Sequence, residues 1–158
     1  MKFEPAPISH DDDFPEEGVS LTGDKRTEAR LCAVQSLYQV IFVGTDIKDV
    51  ADSFLLHEIP DRKADKKIFK GIIDSAGTNL ERFLKLVEAH LSEEWSIERV
   101  DPVAKAILVS AIAELDGFPK TPEKVVLNEY INIAKGFFEE KEVKFINGLL
   151  DKVAPKVR

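Results

Sequence analysis

From Asp24 onward the chain reads as a succession of helices, because apolar residues recur at spacings of three and four between residues that start and stop helices. Asp24 can cap a first helix whose stripe includes Leu31, Val34, Tyr38 and Ile41, with Gly44 placed to end it. A second helix follows Asp46, turns Ile47, Val50, Phe54 and Leu55 inward, and is expected to end at Pro60. The stretch DKKIFKGIIDSAGTNLERFLKLVEAHL, residues 65–91, predicts two helices or one broken helix, with Gly71 and Gly77 as its weak points.

The second half is more sharply punctuated. In VDPVAKAILVSAIAELDGF, Asp101 is a candidate N-cap, Pro102 the first helical residue and Gly117 the residue past the end. This segment is apolar on most sides, as a buried central helix would be. TPEKVVLNEYINIAKGFF repeats the device with Thr121 and Pro122, and places Val126, Tyr130, Ile133 and Phe137 on one face. Within it KVVLN resembles a strand only in isolation. The last helix, EVKFINGLLDKVAP, packs Val143, Ile146, Leu150 and Val153 and is expected to stop near Pro155. The pattern predicts an all-α fold of about seven helices without an internal repeat.

Length and charge refine this reading. A chain of 158 residues suits one domain with a real core. No run approaches the roughly 18 apolar residues of a membrane span, and the N-terminus lacks the pattern of a secretory signal. The lone Cys32 agrees with a reducing cytoplasm. The net charge of −7 argues at first against nucleic acid. Its distribution removes the objection: residues 1–24 hold seven acids and one base, leaving 21 bases and 22 acids in residues 25–158. Residues 1–23, with Pro5, Pro7 and Pro15 among acids, are expected to form a flexible acidic tail ahead of a domain spanning 24–158. Lys25, Arg26 and Arg30 cluster at the start of the first helix, where the helix dipole disfavours cations. An anion outside the helix would offset that.

Catalytic signatures are missing. His10, His57 and His90 are isolated from one another and from Cys32, so no metal-ligand set is formed. Asp11–Asp13 lacks the alternation of a calcium loop, and neither a phosphate loop nor a nucleophile elbow occurs. A binding protein without cofactor, metal or small-molecule substrate is expected, not an enzyme. Phe137, Phe138 and Phe145 crowd one region and cannot all face one stripe, which makes Phe138 a candidate partner contact.

ARLCAVQSLYQ, VAKAILVSAIAEL, VVLNEYINIAK and KFINGLLDKVAP, in that order and spacing, resemble the motifs of the NusB family of transcription antitermination factors. The resemblance spans residues 25–156. It implies an all-α fold of two small helical subdomains that binds the boxA segment of ribosomal RNA transcripts jointly with NusE, a ribosomal protein of the small subunit. It further implies a place in an RNA polymerase antitermination complex, supporting ribosomal RNA transcription. Carried over by residue, Arg26 and Arg30, with Lys25 adjacent, would contact phosphates, and Tyr38, Phe145 and Asn147 would border the RNA; Lys141, where the family often has an acid, would restore a cation there, with Lys144 nearby. Phe145 could stack on a base. Thr27, Glu28 and Val109 stand where the family often has arginines. Two other readings fit the same fold: a relative of the RNA-binding domain of ribosomal RNA cytosine methyltransferases, and a protein-interaction helical module with no RNA role.

Overall fold

The computed structural model describes residues 24–93 and 96–158; the acidic segment 1–23 lies outside the described residues. Among the described residues six helices make up the fold. They are α1 (Lys25–Tyr38), α2 (Ile47–Ser53), α3 (Lys66–Ala89), α4 (Pro102–Gly117), α5 (Glu123–Lys135) and α6 (Glu140–Val157). A π turn, Gln39–Val43, prolongs α1 until Gly44, at φ +86°, closes it in the left-handed conformation that glycine adopts without strain. A second π turn, Phe54–Glu58, carries α2 on through Ile59–Asp61.

Aspartates start four of the helices. Asp24 accepts the Arg26 N–H at 2.7 Å, Asp46 that of Lys48 at 2.8 Å, and Asp65 that of Ile68 at 3.0 Å. Asp101 is fully buried and accepts from both Val103, at 2.7 Å, and Ala104, at 3.3 Å. Each satisfies N–H groups that a helix start leaves without a partner. Glu139 and Glu142 form a capping box on α6.

Several expected boundaries move. The described residues hold six helices where about seven are expected, because within residues 65–91 Lys66–Ala89 form one broken helix, one of the two forms expected. Its break lies at Asn79 (φ −123°, ψ 17°), whose amide donates to the Ser75 carbonyl at 2.9 Å and so takes up an acceptor in the kinked turn. The two glycines are helical. Gly71 serves close packing: a Cβ there would collide with the Phe118 ring. Pro60 and Pro155 are both inside helical turns, close enough to an end that few backbone bonds are lost. Thr121 does not cap α5, which starts after Pro122 without a side-chain cap, and α4 includes Gly117 as its last residue, with Phe118 as its C-cap.

One core joins α1–α3 to α4–α6. Helix α4 packs against α1, α3, α5 and α6, and everything from Ala106 to Leu115 is buried. This is the central helix that its apolar sequence predicts. Helix α1 goes beyond its predicted stripe, since Ala29 to Tyr38 are all buried, including the polar Arg30, Gln35 and Ser36. Burying those polar groups requires partners, and this places the site. Among the described residues no helix is long and apolar enough to cross a membrane.

Asp101→Ala removes the acceptor at the head of the central helix and is expected to lower the unfolding free energy by about 1–2 kcal/mol. Urea unfolding with an unchanged m value would measure it; Asp101→Asn, which keeps the accepting oxygen, should cost less.

Candidate nucleic-acid interface

The cations at the head of α1 divide between surface and core. Lys25 and Arg26 occupy the first turn and are exposed; the Arg26 guanidinium lies 3.8 Å from the Asp24 carboxylate with 63% of its side chain exposed. Arg30, one turn later, points inward and is only 5% exposed. Its Nε donates to Glu114 Oε1 at 2.9 Å, its Nη2 to Glu114 Oε2 at 2.8 Å, and its Nη1 to Glu129 Oε1 at 3.0 Å. The Tyr130 hydroxyl donates to Glu114 Oε1 at 2.9 Å, and the Thr27 hydroxyl to Glu129 Oε1 at 2.9 Å. The structure therefore places Arg30 in the core, not at the surface where a phosphate contact is expected of it. Arg30 is spent on two carboxylates, because a guanidinium taken out of water must find charged acceptors.

Burial works against the charge on Arg30, but the hydrogen bond and charge of Glu114, with help from Tyr130 and Glu129, outweigh it and raise the guanidinium above its usual range. The Tyr130 hydroxyl is also raised, first by burial and then by the Glu114 charge, so it remains a donor. Two carboxylates against one guanidinium leave this cluster one negative charge in surplus. That surplus faces the surface through Glu129, whose side chain is 28% exposed against 2% for Glu114.

Arg26 and Arg30 line a cleft of about 710 Å³ formed with Lys67, Ile68, Phe118, Lys120 and Val125. Lys141, Lys144 and Phe145 line a second, shallower cleft of about 560 Å³ with Glu140. The two share no lining residue, so the structure does not gather the sequence-predicted residues into one pocket. Lys144 pairs with Glu140 at 3.2 Å on the exposed face of α6, where such a bridge contributes little. Asn147 is exposed, and Phe138 and Phe145 are half-buried against the core. Tyr38 is a core residue, 4% exposed, with its ring stacked at 5.4 Å on that of Phe42. Phe42 is 49% exposed.

Glu114, Glu129, Tyr130 and Thr27 are absent from the sequence-based candidates. Glu114 had a signal: it is a carboxylate inside a segment predicted to be buried, and such a group needs a cation. A second arginine does similar work nearby. Arg62 donates to Gln35 at 2.6 Å and to Glu28 at 3.1 Å, tying the end of α2 to α1. Beneath it the Cys32 thiol is pushed up to about 12 by burial, against an opposing pull from Arg62. Among the described residues no histidine, cysteine, aspartate or glutamate group could hold a metal ion.

Arg30→Ala would strand the Glu114 carboxylate and is expected to destabilise the fold by about 3–5 kcal/mol, read by urea or thermal unfolding. Arg30→Lys should restore only part of this, since an ammonium cannot reproduce the forked contact. Cys32 should resist a thiol-reactive disulfide reagent at pH 8 in the native protein and react promptly in denaturant; prompt native reaction would contradict its burial.

Comparisons with known proteins agree with this architecture. The model of the NusB family matches residues 27–155. A transcription antitermination protein NusB of Bartonella tribocorum is 37% identical over 144 residues, which cover 87% of this chain and 92% of the relative. Among solved structures, T. maritima NusB superposes with a TM-score of 0.69 at 32% identity, covering 83% of this chain and 91% of the other. A chain from the crystal structure of antitermination factors NusB and NusE in complex with double-stranded RNA shares the fold, with a TM-score of 0.70 at 23% identity over 84% of this chain and 97% of that one. With a family match along nearly all of its helical part and a relative aligned almost end to end, the chain belongs to the NusB family.

Proposed function

We propose that the protein is a transcription antitermination factor that binds the boxA segment of ribosomal RNA transcripts jointly with NusE and so joins an RNA polymerase complex resistant to termination. The observation that carries this reading is family membership combined with exposed cations, Lys25 and Arg26, at the head of α1. RNA phosphates there would offset the unfavourable helix dipole that the cations meet in the first turn. The protein acts by binding, not by catalysis, and does so in the cytoplasm. Lys141, Lys144, Phe145 and Asn147 form a second contact region on α6, where Phe145 offers an aromatic face to a base.

NusE supplies what the isolated chain lacks. Residues 25–158 carry one acid more than their bases, too weak a field to hold a polyanion tightly alone. Apolar side chains left exposed, Phe42, Val43, Leu56 and Val125 among the described residues, offer surface for a protein partner. A partner adding its own cations would extend the positive surface and tighten RNA binding.

The deciding experiment is a titration of labelled boxA and scrambled RNA with and without NusE. Selective binding that tightens with NusE is expected; equal binding of both RNAs in its presence would overturn the boxA assignment. Arg26→Ala should weaken binding to all sequences and flatten the logarithmic salt dependence by about 0.7, the contribution of one phosphate contact on a single strand. Calorimetry should detect NusE binding at micromolar concentration, and its absence would count against the joint complex.

A further inference from the structure

Once Arg30 is committed to Glu114 and Glu129, the larger cleft needs other cations if a polyanion is to enter it. Two stand at its rim. Lys67 comes from the first turn of α3 and Lys120 from the loop between α4 and α5, and both are exposed. Neither forms an ion pair among the described residues, whereas Lys48, Lys85 and Lys144 each pair with an acid on their own helix. From these observations we infer that Lys67 and Lys120, together with Arg26, form the track along which the phosphodiester backbone of single-stranded RNA crosses this face. The inference rests on the RNA-binding reading above and deepens it by naming the cleft.

The positions of these residues are held by the fold. The heads of α1 and α3 are tied by the Asp65 N–H donating to the Lys25 carbonyl at 2.9 Å, which brings Lys67 alongside Arg26. The loop carrying Lys120 is clamped by Arg158, whose guanidinium donates to the carbonyls of Leu115 at 3.0 Å, Phe118 at 2.7 Å and Thr121 at 2.6 Å. The Phe118 ring is seated against Gly71, where no Cβ intervenes. A long, flexible side chain on an anchored stem can reach a phosphate without the loop having to order first.

The chemistry of the lining fits a nucleotide chain. Four cations and three carboxylates face the cleft, a net of one positive charge, with Glu114 and Glu129 already bonded to Arg30. Phe118 and Val125 give the wall an apolar character, and Val125 is 45% exposed. Phosphates at the rim and bases against that wall would use both properties, as single-strand binding surfaces do. Lys67 and Lys120 lie far from α1 in sequence, so only the folded chain places them beside Arg26.

The test compares full-length wild type, Lys67→Gln/Lys120→Gln and the control Lys85→Gln/Lys152→Gln, whose lysines are exposed outside the cleft. Fluorescence anisotropy with labelled boxA RNA is measured in the presence of saturating NusE at 0.05 and 0.15 M salt. The cleft variant should bind more weakly, and its deficit relative to wild type should be about fivefold larger at the lower salt, the result of losing two single-strand phosphate contacts. The control should keep more of the wild-type salt slope than the cleft variant does. A wild-type slope in the cleft variant, with wild type itself binding, would overturn this inference alone. No wild-type binding at either salt would overturn the RNA reading and the inference with it. Tighter binding by the cleft variant would likewise overturn the inference.

Discussion

The forked bond between Arg30 and Glu114 is the constraint on which the arrangement of this protein depends. It crosses the most buried part of the molecule and ties α1 to α4, while Glu129 and Tyr130 extend it to α5. An ion pair of this kind adds little net stability, because desolvating both charges consumes most of their attraction. Its effect is on register. Leu, Val and Ala side chains tolerate small slides between helices, but a planar guanidinium held by two carboxylates, one of which also accepts from a phenol, is satisfied in one alignment only. Slippage by a helical turn would leave Glu114 without a cation in surroundings where every neighbour from Ala106 to Leu115 is buried.

That alignment determines what the surface offers. With Arg30 turned inward, the head of α1 presents Lys25 and Arg26, and the floor of the adjoining cleft carries a slight acidic surplus instead of a positive charge. Cations that face solvent around it come from three separate stretches of chain, brought together by the bond from Asp65 to Lys25 and by the Arg158 clamp on the α4–α5 loop. A cleft with positive rim and partly apolar wall is selective in its own way. On the proposed reading it suits a ligand with charges along an edge and flat apolar groups between them.

The same logic runs through the other polar groups of the core. Arg62 connects Glu28 and Gln35 across the α1–α2 contact, and Asp101 holds the head of α4 from a fully buried position. Each answers a specific burial. Arg62 also explains Glu28, which stands where the family resemblance leads one to expect an arginine in α1. It is a structural partner, and so is Thr27, whose hydroxyl donates to Glu129.

Helix identity, order and approximate extent were legible in the sequence, because caps and apolar spacing are local properties. Asp24, Asp46 and Asp101 start helices as expected, Gly44 ends one, and the central position of α4 follows from its apolar composition. The motifs that resemble the NusB family were equally visible. The break in α3 at Asn79 was less so, since glycine is the stronger signal and here Gly71 serves packing against a ring from another helix. The direction in which Arg30 points was beyond the sequence altogether. A cation beside an apolar stripe reads as exposed, and only the approach of Glu114 and Glu129, 84 and 99 residues away, makes the interior the better place for its charge. Local spacing along the chain determined the helices; partners distant in sequence decided which of their charges face water.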